Sequence, residues 1–321
     1  MRIIEASKLT KKYGEFTAVD GVDFFVNEGE IFGFLGPNGA GKTTTINMLT
    51  GLARITSGTV KLAGYEYPRE VKKAQQIIGI VPDESNLYEE LDGFQNLCFC
   101  GSLYGMNRLK REEKARELLE QFGLADVGNK PFKAYSKGMK RKLTVAAAII
   151  HEPKILFLDE LTTGIDVASS REIRKLILDL NKKGTTIFLT THYMEEAERL
   201  CHRLAFIVGG KIVRIGTLAE LMQEVQREFI VQFTLGDGVL RLREALINRF
   251  PDFTVEVLSN DTIRVRSPVR FDLIPFMRYF ADNGITVYEA KLVKPSLEEV
   301  FVKVTGIEIE KMKMEKEGGK K

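Results

Sequence analysis

The chain reads as an α/β protein: a mostly parallel sheet with helices on its faces, followed by a smaller α+β domain. Two observations predict this. Four short apolar runs, "EIFGFLG", "QIIGIVP", "KILFLDE" and "TTIFLTT", alternate with longer segments of helical spacing, such as 111–122. Runs this short, apolar throughout and bounded by polar or turn residues, suit strands buried on both faces. Strands that alternate with helices build a parallel sheet. Past about residue 225 the second observation appears, a change to amphipathic strands and helices in a different order.

In chain order, residues 1–222 carry the α/β pattern. Within them, 92–130 read as mostly helical with no clear strand, which marks 84–134 as a helical insert. Beyond, "EFIVQFTL" reads as a strand and "VLRLREALINRF" as a helix. "FTVEVLSNDTIRVRS" has two alternating runs around Ser-Asn-Asp, a hairpin signal. "FDLIPFMRYFADNG" reads as a helix ending at Gly284, and "ITVYEAKLV" as a strand. The order βαββαβ over 226–306 predicts a ferredoxin-like domain. "PSLEEVF" is a helix start, with Pro295, a Ser296 cap and Glu298 and Glu299 in the first turn. Residues 307–321 read as a disordered basic tail.

Charge narrows the function classes. The chain has 321 residues and a net charge of +3, from 47 basic and 44 acidic side chains. The tail "KMKMEKEGGKK" holds five Lys and two Glu, which is itself +3, so the body is neutral. A nucleic-acid-binding domain would carry its positive charge on the body. Cys98, Cys100 and Cys201 are too few for a disulfide framework or a zinc site. No apolar run reaches the length of a membrane span, and the N-terminus lacks the apolar core of a signal peptide. A cytoplasmic setting is expected.

The chemistry concentrates in two motifs. "GPNGAGKT", comprising Gly36, Pro37, Asn38, Gly39, Ala40, Gly41, Lys42 and Thr43, matches GxxxxGK[ST] between a strand and a helix. Its glycines let the backbone fold around an anion and turn successive N–H groups inward. The helix that follows adds its positive end. Lys42 can reach the β- and γ-phosphates, and the Thr43 hydroxyl can bind Mg²⁺. "ILFLDE" then delivers Asp159 and Glu160 at the C-terminal end of a buried strand, the edge at which ligands bind in open α/β sheets. Asp159 suits a Mg²⁺ contact through water, and Glu160 can polarise an attacking water.

With these motifs the chain resembles the nucleotide-binding subunits of ABC transporters over about residues 2–222. Six segments carry the resemblance in the family's order. Tyr13 in "KKYG" matches the aromatic that stacks on adenine, and "GPNGAGKT" continues into Thr44 as the P-loop. "ILFLDE" is the Walker B strand, and "YSKGMKRKL" aligns with the LSGGQ-type signature. "TTGID" places Asp166 at the acidic position of the next loop, and "TTHYMEEAE" places His192 at the switch-histidine position.

The resemblance implies a RecA-like core with an antiparallel β edge and a helical subdomain. It implies ATP and Mg²⁺ as ligands and hydrolysis of ATP, with Glu160, His192 and Lys42 as the catalytic set. It also implies that Ser136 and Gly138 face the γ-phosphate held by a second subunit, so the chain should pair with itself or a close relative. Lys140, Arg141 and Lys142 read as lining a solvated face, and His151 and His202 as structural.

The sequence departs from the family pattern in places. Asp83 stands where the family has a Mg²⁺-binding Gln, Lys137 and Met139 replace signature residues, and Leu161 stands where Pro is common. The ending "VKPSLEEVFVKVTG" resembles cassettes of exporters that work with a separate six-span permease. That implies a peripheral place on the cytoplasmic face of the membrane, with the 84–134 insert as docking surface. The alternative is a soluble ABC ATPase acting on ribosomes or DNA.

Overall fold

The computed structural model describes residues 1–225, 229–236, 239–270, 272–293 and 296–307. The basic tail from 308 on and Pro295 lie outside the described residues. The chain divides into two compact units, Met1–Leu218 and Ala219–Lys303, with the described residues from Val304 on grouped with the first.

The first unit opens with β1 (Arg2–Tyr13) and β2 (Phe16–Asn27), then β3 (Ile31–Leu35) and α1 (Lys42–Leu49). Next come β4 (Ser57–Leu62), β5 (Tyr65–Glu66), α2 (Val71–Gln75) and β6 (Ile78–Val81). The insert holds α3 (Gly93–Leu103), α4 (Arg108–Gln121) and two single 3-10 turns, and runs into α5 (Lys137–Ile149). The unit closes with β7 (Ile155–Asp159), α6 (Val167–Lys182), β8 (Thr186–Thr191), α7 (Met194–Leu200), β9 (Arg203–Val208) and β10 (Lys211–Thr217).

Six strands form one sheet in the order β10-β9-β3-β8-β7-β6. All neighbours are parallel except β10 and β9. Every residue of β3, β7 and β8 is buried, as the continuous apolar runs predict for strands covered on both faces. A second sheet, β2-β1-β4-β5, is antiparallel. One apolar cluster spans both sheets. Phe24 of β2 packs on Phe32, Phe34 and Phe188, with ring centroids 5.0–5.9 Å apart. Each such aromatic pair adds about 0.5–1.5 kcal/mol beyond the area it buries.

This topology sets the site. The loop to α1 leaves the C-terminal end of β3, Asp159 and Glu160 stand at the end of β7, and His192 follows β8. Pro82 and Asp83 follow β6. Four strand ends thus share one edge of the sheet. In the insert, Asp92 and Gln95 form a reciprocal capping box on α3. Buried Asn96 accepts from the Tyr88 N–H and donates to the carbonyls of Tyr88, Leu91 and Asp92 at 3.0–3.2 Å, which holds the loop before the helix.

In the second unit, α8 (Leu218–Val225) precedes β11 (Phe229–Leu235), α9 (Val239–Arg249), β12 (Thr254–Val257), β13 (Thr262–Ser267), α10 (Ile274–Asp282), β14 (Val287–Val293) and α11 (Leu297–Thr305). The sheet order is β12-β13-β11-β14, antiparallel throughout. Its core joins Val231, Phe233, Ile263 and Val265 of the sheet to Leu246 of α9 and Phe276 and Phe280 of α10. Gly284 takes φ +68° just past α10, a conformation glycine adopts without penalty. The Ser296 hydroxyl accepts from the Glu299 N–H at 3.2 Å, the cap expected for α11.

Candidate active site

The phosphate loop needs glycine at its two ends. A Cβ on Gly36 would lie 2.1 Å from the Ile207 carbonyl oxygen, and Gly41 combines φ +99° with a Cβ position 2.5 Å from the Ala18 carbonyl oxygen. Between them Gly39 is exposed and Pro37 and Asn38 half-buried, while Ala40 is buried. Lys42 begins α1 and is 5% exposed. Its ammonium donates to the carbonyls of Gly36 (2.8 Å) and Pro37 (3.0 Å) and lies 3.1 Å from Glu160 Oε1. Thr43 is exposed on the first turn of α1 and Thr44 half-buried beside it.

Glu160 is the hub. Its backbone sits in the left-handed region at φ +49°, a strained conformation for a non-glycine residue. Its N–H donates to the Thr190 carbonyl at 3.1 Å. Its second carboxylate oxygen lies 2.7 Å from His192 Nδ1 and accepts from the Thr163 hydroxyl at 3.3 Å. Burial pushes the Glu160 pKa up, but His192 and Lys42 together outweigh it and hold the carboxyl below its ordinary value. Glu160 is therefore ionised at neutral pH. Asp159, also buried, accepts a hydrogen bond from the Thr190 hydroxyl.

The strand end is held from outside by Arg141. Its guanidinium donates to the carbonyls of Leu161 (2.7 Å), Glu160 (2.6 Å), Asp159 (3.3 Å) and Pro82. At 3% exposure it contradicts the expectation of a solvated basic face. Burial lowers its pKa, and the charges of Asp83, Glu196, Asp159 and Glu160 oppose that. Lys142 contradicts the same expectation through a 2.5 Å ion pair with Glu172, and half-buried Lys140 lies 5.2 Å from the Phe132 ring centre. Helical geometry explains the error. Arg141 stands three residues after buried Gly138 and four before buried Val145, on the inward face of α5.

A second cluster gathers at the start of α5. Ser136 caps the helix, its hydroxyl accepting from the Met139 N–H at 3.2 Å. Asp166 caps α6 by accepting from the Ser169 N–H at 2.9 Å, which lowers its pKa. Gly138 brings the helices together, since a Cβ there would meet Ser169 Oγ at 2.4 Å. Tyr13 lies apart at the tip of the β1–β2 hairpin, 53% exposed, with Lys11 Nζ 4.7 Å from its ring centre.

Similarity to known proteins agrees with this geometry. Residues 19–163 match the family model described as "ABC transporter". The chain is 36% identical over 307 residues to the linearmycin resistance ATP-binding protein LnrL of Bacillus subtilis (strain 168), covering 95% of this chain and 98% of that one. The chain belongs to the ABC transporter family. It is an ATP-binding subunit that hydrolyses ATP. It is 37% identical to the daunorubicin/doxorubicin resistance ATP-binding protein DrrA of Streptomyces peucetius, over 95% of this chain and 93% of that one. The Nod factor export ATP-binding protein I of Paraburkholderia xenovorans (strain LB400) is 37% identical over 96% and 98%. Among solved structures, an ATP-binding subunit of an ABC transporter superposes with TM-score 0.64 at 28% identity, over 70% of this chain and 93% of that one. A dimeric cassette bound to ADP and phosphate in a post-hydrolysis state gives 0.62 at 26%, over 67% and 98%.

Within this cassette, the structure brings Lys42, Asp159, Glu160 and His192 into one cluster and Ser136, Gly138 and Asp166 into another. Asp83 is exposed beyond Pro82 and near enough to Arg141 to act on its charge. His151 Nε2–H donates to the Ile78 carbonyl (2.9 Å) and the ring stacks on Tyr104, and His202 accepts from the Ile31 N–H at 2.9 Å, both structural as expected. Sequence reasoning missed Arg141 and Glu196. Glu196 is 2% exposed and accepts from the Thr162 hydroxyl at 2.8 Å. Burial raises its pKa. The available signal was Leu200, one turn on along the same face of α7.

Proposed function

We propose that this cassette powers export through a separate integral-membrane permease, as one of two ATP-binding subunits that close on ATP and reopen after hydrolysis. The observation that carries the reading is the buried Lys42–Glu160–His192 cluster, supported from outside by Arg141. Export follows from relatives named for resistance and for export. Among the described residues no helix is long and apolar enough to cross a membrane; the names of the relatives, ATP-binding proteins of resistance and export systems, support a peripheral place on the cytoplasmic face beside a permease. The neutral body and the names of the relatives favour transport over a soluble ATPase acting on ribosomes or DNA.

The residues take these roles. Lys42 leaves Glu160 for the β- and γ-phosphates, and the backbone N–H groups of Asn38, Gly39 and Gly41 to Thr44 line the phosphates. Glu160, ionised, takes a proton from the attacking water, and His192 keeps its carboxylate aimed. Tyr13 stacks on adenine. Ser136 and Gly138, with Asp166 behind them, complete the site of the opposite subunit. Thr43 and Asp159 would hold Mg²⁺, with Asp83 as a further candidate. Two protein oxygens are a fitting donor set, because Mg²⁺ retains waters and phosphate oxygens, and among the described residues no group of three or more His, Cys, Asp or Glu forms an alternative metal site. When bound, Mg²⁺ neutralises phosphate charge.

In domain terms, 1–222 form the cassette, with the 84–134 insert facing the permease. Residues 226–306 form a ferredoxin-like domain, a reading supported by its strand order, and 307–321 a basic tail.

Affinity capture of tagged Glu160→Gln protein from gently solubilised native cells with MgATP tests the reading. A multi-span membrane protein recovered in proportion is the expected result. Ribosomes or DNA-bound factors without a membrane partner would overturn it.

A further inference from the structure

β14 is an edge strand of the second unit, its outer side free of any strand among the described residues. Such edges are templates for another strand unless they are blunted. This one is seven residues long and nearly all exposed. Its register with β11 places Ala290 opposite Phe233 and Leu292 opposite Val231, so both stand on the face that carries the core. The helices do not cover them there. Tyr288 is 73% and Leu292 52% exposed, and Ala290 between them is exposed too. Glu289 and Lys291 alternate with these residues and stand on the opposite face, beside Thr234 and Gln232.

The sequence of the strand, Val-Tyr-Glu-Ala-Lys-Leu-Val, is self-complementary about its centre. When two copies run antiparallel with Ala290 on the two-fold axis, Glu289 faces Lys291 of the other copy and Lys291 faces Glu289; the regular alternation ends there, because the register with β11 shifts at Tyr288 and Val287 already pairs with Leu235 on the core side. Directly opposed residues share a face and interact. Moving the axis by one residue opposes Glu289 to itself or Lys291 to itself, which is repulsive. Charge therefore selects one register. The small side chain of Ala290 suits the axis, where each residue meets its own copy.

We propose that β14 pairs with β14 of a second copy of this chain, antiparallel and centred on Ala290, joining two four-stranded sheets into one. The contact is isologous, so taken alone it closes a dimer. It satisfies the edge backbone and covers Ala290 and Leu292 at once. It uses no residue of the nucleotide site and does not rest on the function proposed above.

Cross-linking of the full chain without nucleotide tests it. Cys98, Cys100 and Cys201 are first changed to Ala, and Ala290→Cys is compared under mild oxidation with Asp282→Cys, an exposed control at the end of α10. Opposed residues of an antiparallel pair have Cα atoms within disulfide reach. Ala290→Cys should form covalent dimer at least about tenfold faster than the control, as an intramolecular-like reaction does. Glu289→Lys, measured by sedimentation of the otherwise native chain, should weaken self-association about tenfold, because two attractive pairs become repulsive. The exchange Glu289→Lys with Lys291→Glu should restore it. Equal cross-linking rates at 290 and 282, or equal association of the single and exchanged variants, would overturn the proposal.

Discussion

The two clusters at the nucleotide edge are built on opposite principles. Around Glu160 every group finds its partner inside one chain. Lys42 and His192 take its two oxygens, and Arg141 fastens the carbonyls behind it. Around Ser136, Gly138 and Asp166 the contacts serve only to cap and appose α5 and α6. The first is a finished device for a buried anion, and the second a rigid presentation of a helix N-terminus. Four residues of α5 lie between Ser136, which faces away, and Arg141, which faces in. α5 thus does two jobs, presenting its start outward and bracing the strand that carries Asp159 and Glu160 with its second turn.

Breaking the inner cluster gives the largest effect. Glu160→Gln should lower ATP turnover by about 10²–10⁴-fold, the range of a general base, with nucleotide binding retained by calorimetry. Equal turnover in variant and wild type would remove Glu160 from that role. Next comes Arg141→Ala, which leaves several carbonyls without a donor and should cost about 3 kcal/mol of stability in denaturant titration. Arg141→Lys separates bracing from bulk charge. One ammonium cannot span what the planar fork does, so kcat should fall while KM for ATP holds. A wild-type kcat would show that Arg141 does not position Glu160.

Glu196 gives a pH-dependent effect. Its folded pKa is raised above the unfolded one, so its ionisation penalises the fold. The stability it permits is complete below the unfolded carboxylate value and is lost as pH rises through the folded value. Glu196→Gln should therefore gain stability relative to wild type as pH rises, read as the difference in Tm across a pH series. A difference independent of pH would contradict this. The smallest effect belongs to the outer cluster within one chain. Ser136→Ala should cost about 1 kcal/mol, the worth of a lost N-cap, seen as a small drop in Tm.

Most of the fold was legible because its strands are continuous apolar runs. "IFGFL", "ILFLD" and "TIFLTT" are buried at every position. The antiparallel sheet was not legible from pattern. In β1 the buried residues are Ile3, Ile4, Ala6, Leu9 and Thr10, and register shifts interrupt its pairing, so period two is lost in it. The P-loop and Asp159–Glu160 could be found because the chemistry needs fixed residues at fixed spacing. Arg141 could not, because its role lies in bonds to backbone carbonyls of residues 82 and 159–161, and carbonyls leave no mark in a sequence. In "KRK" the eye sees one charged run, where helical geometry sends three side chains to three different places.

In the proposed function, each complete site combines the inner cluster of one chain with the outer cluster of another. This is tested most directly by mixing two inactive variants, Ser136→Glu and Glu160→Gln. Glutamate at 136 keeps an acidic group at the helix start, which the dipole tolerates, while repelling phosphate. A mixed dimer then holds one site with both wild-type halves. The mixture should regain ATPase activity well above either variant alone. Activity equal to the mean of the two would contradict it.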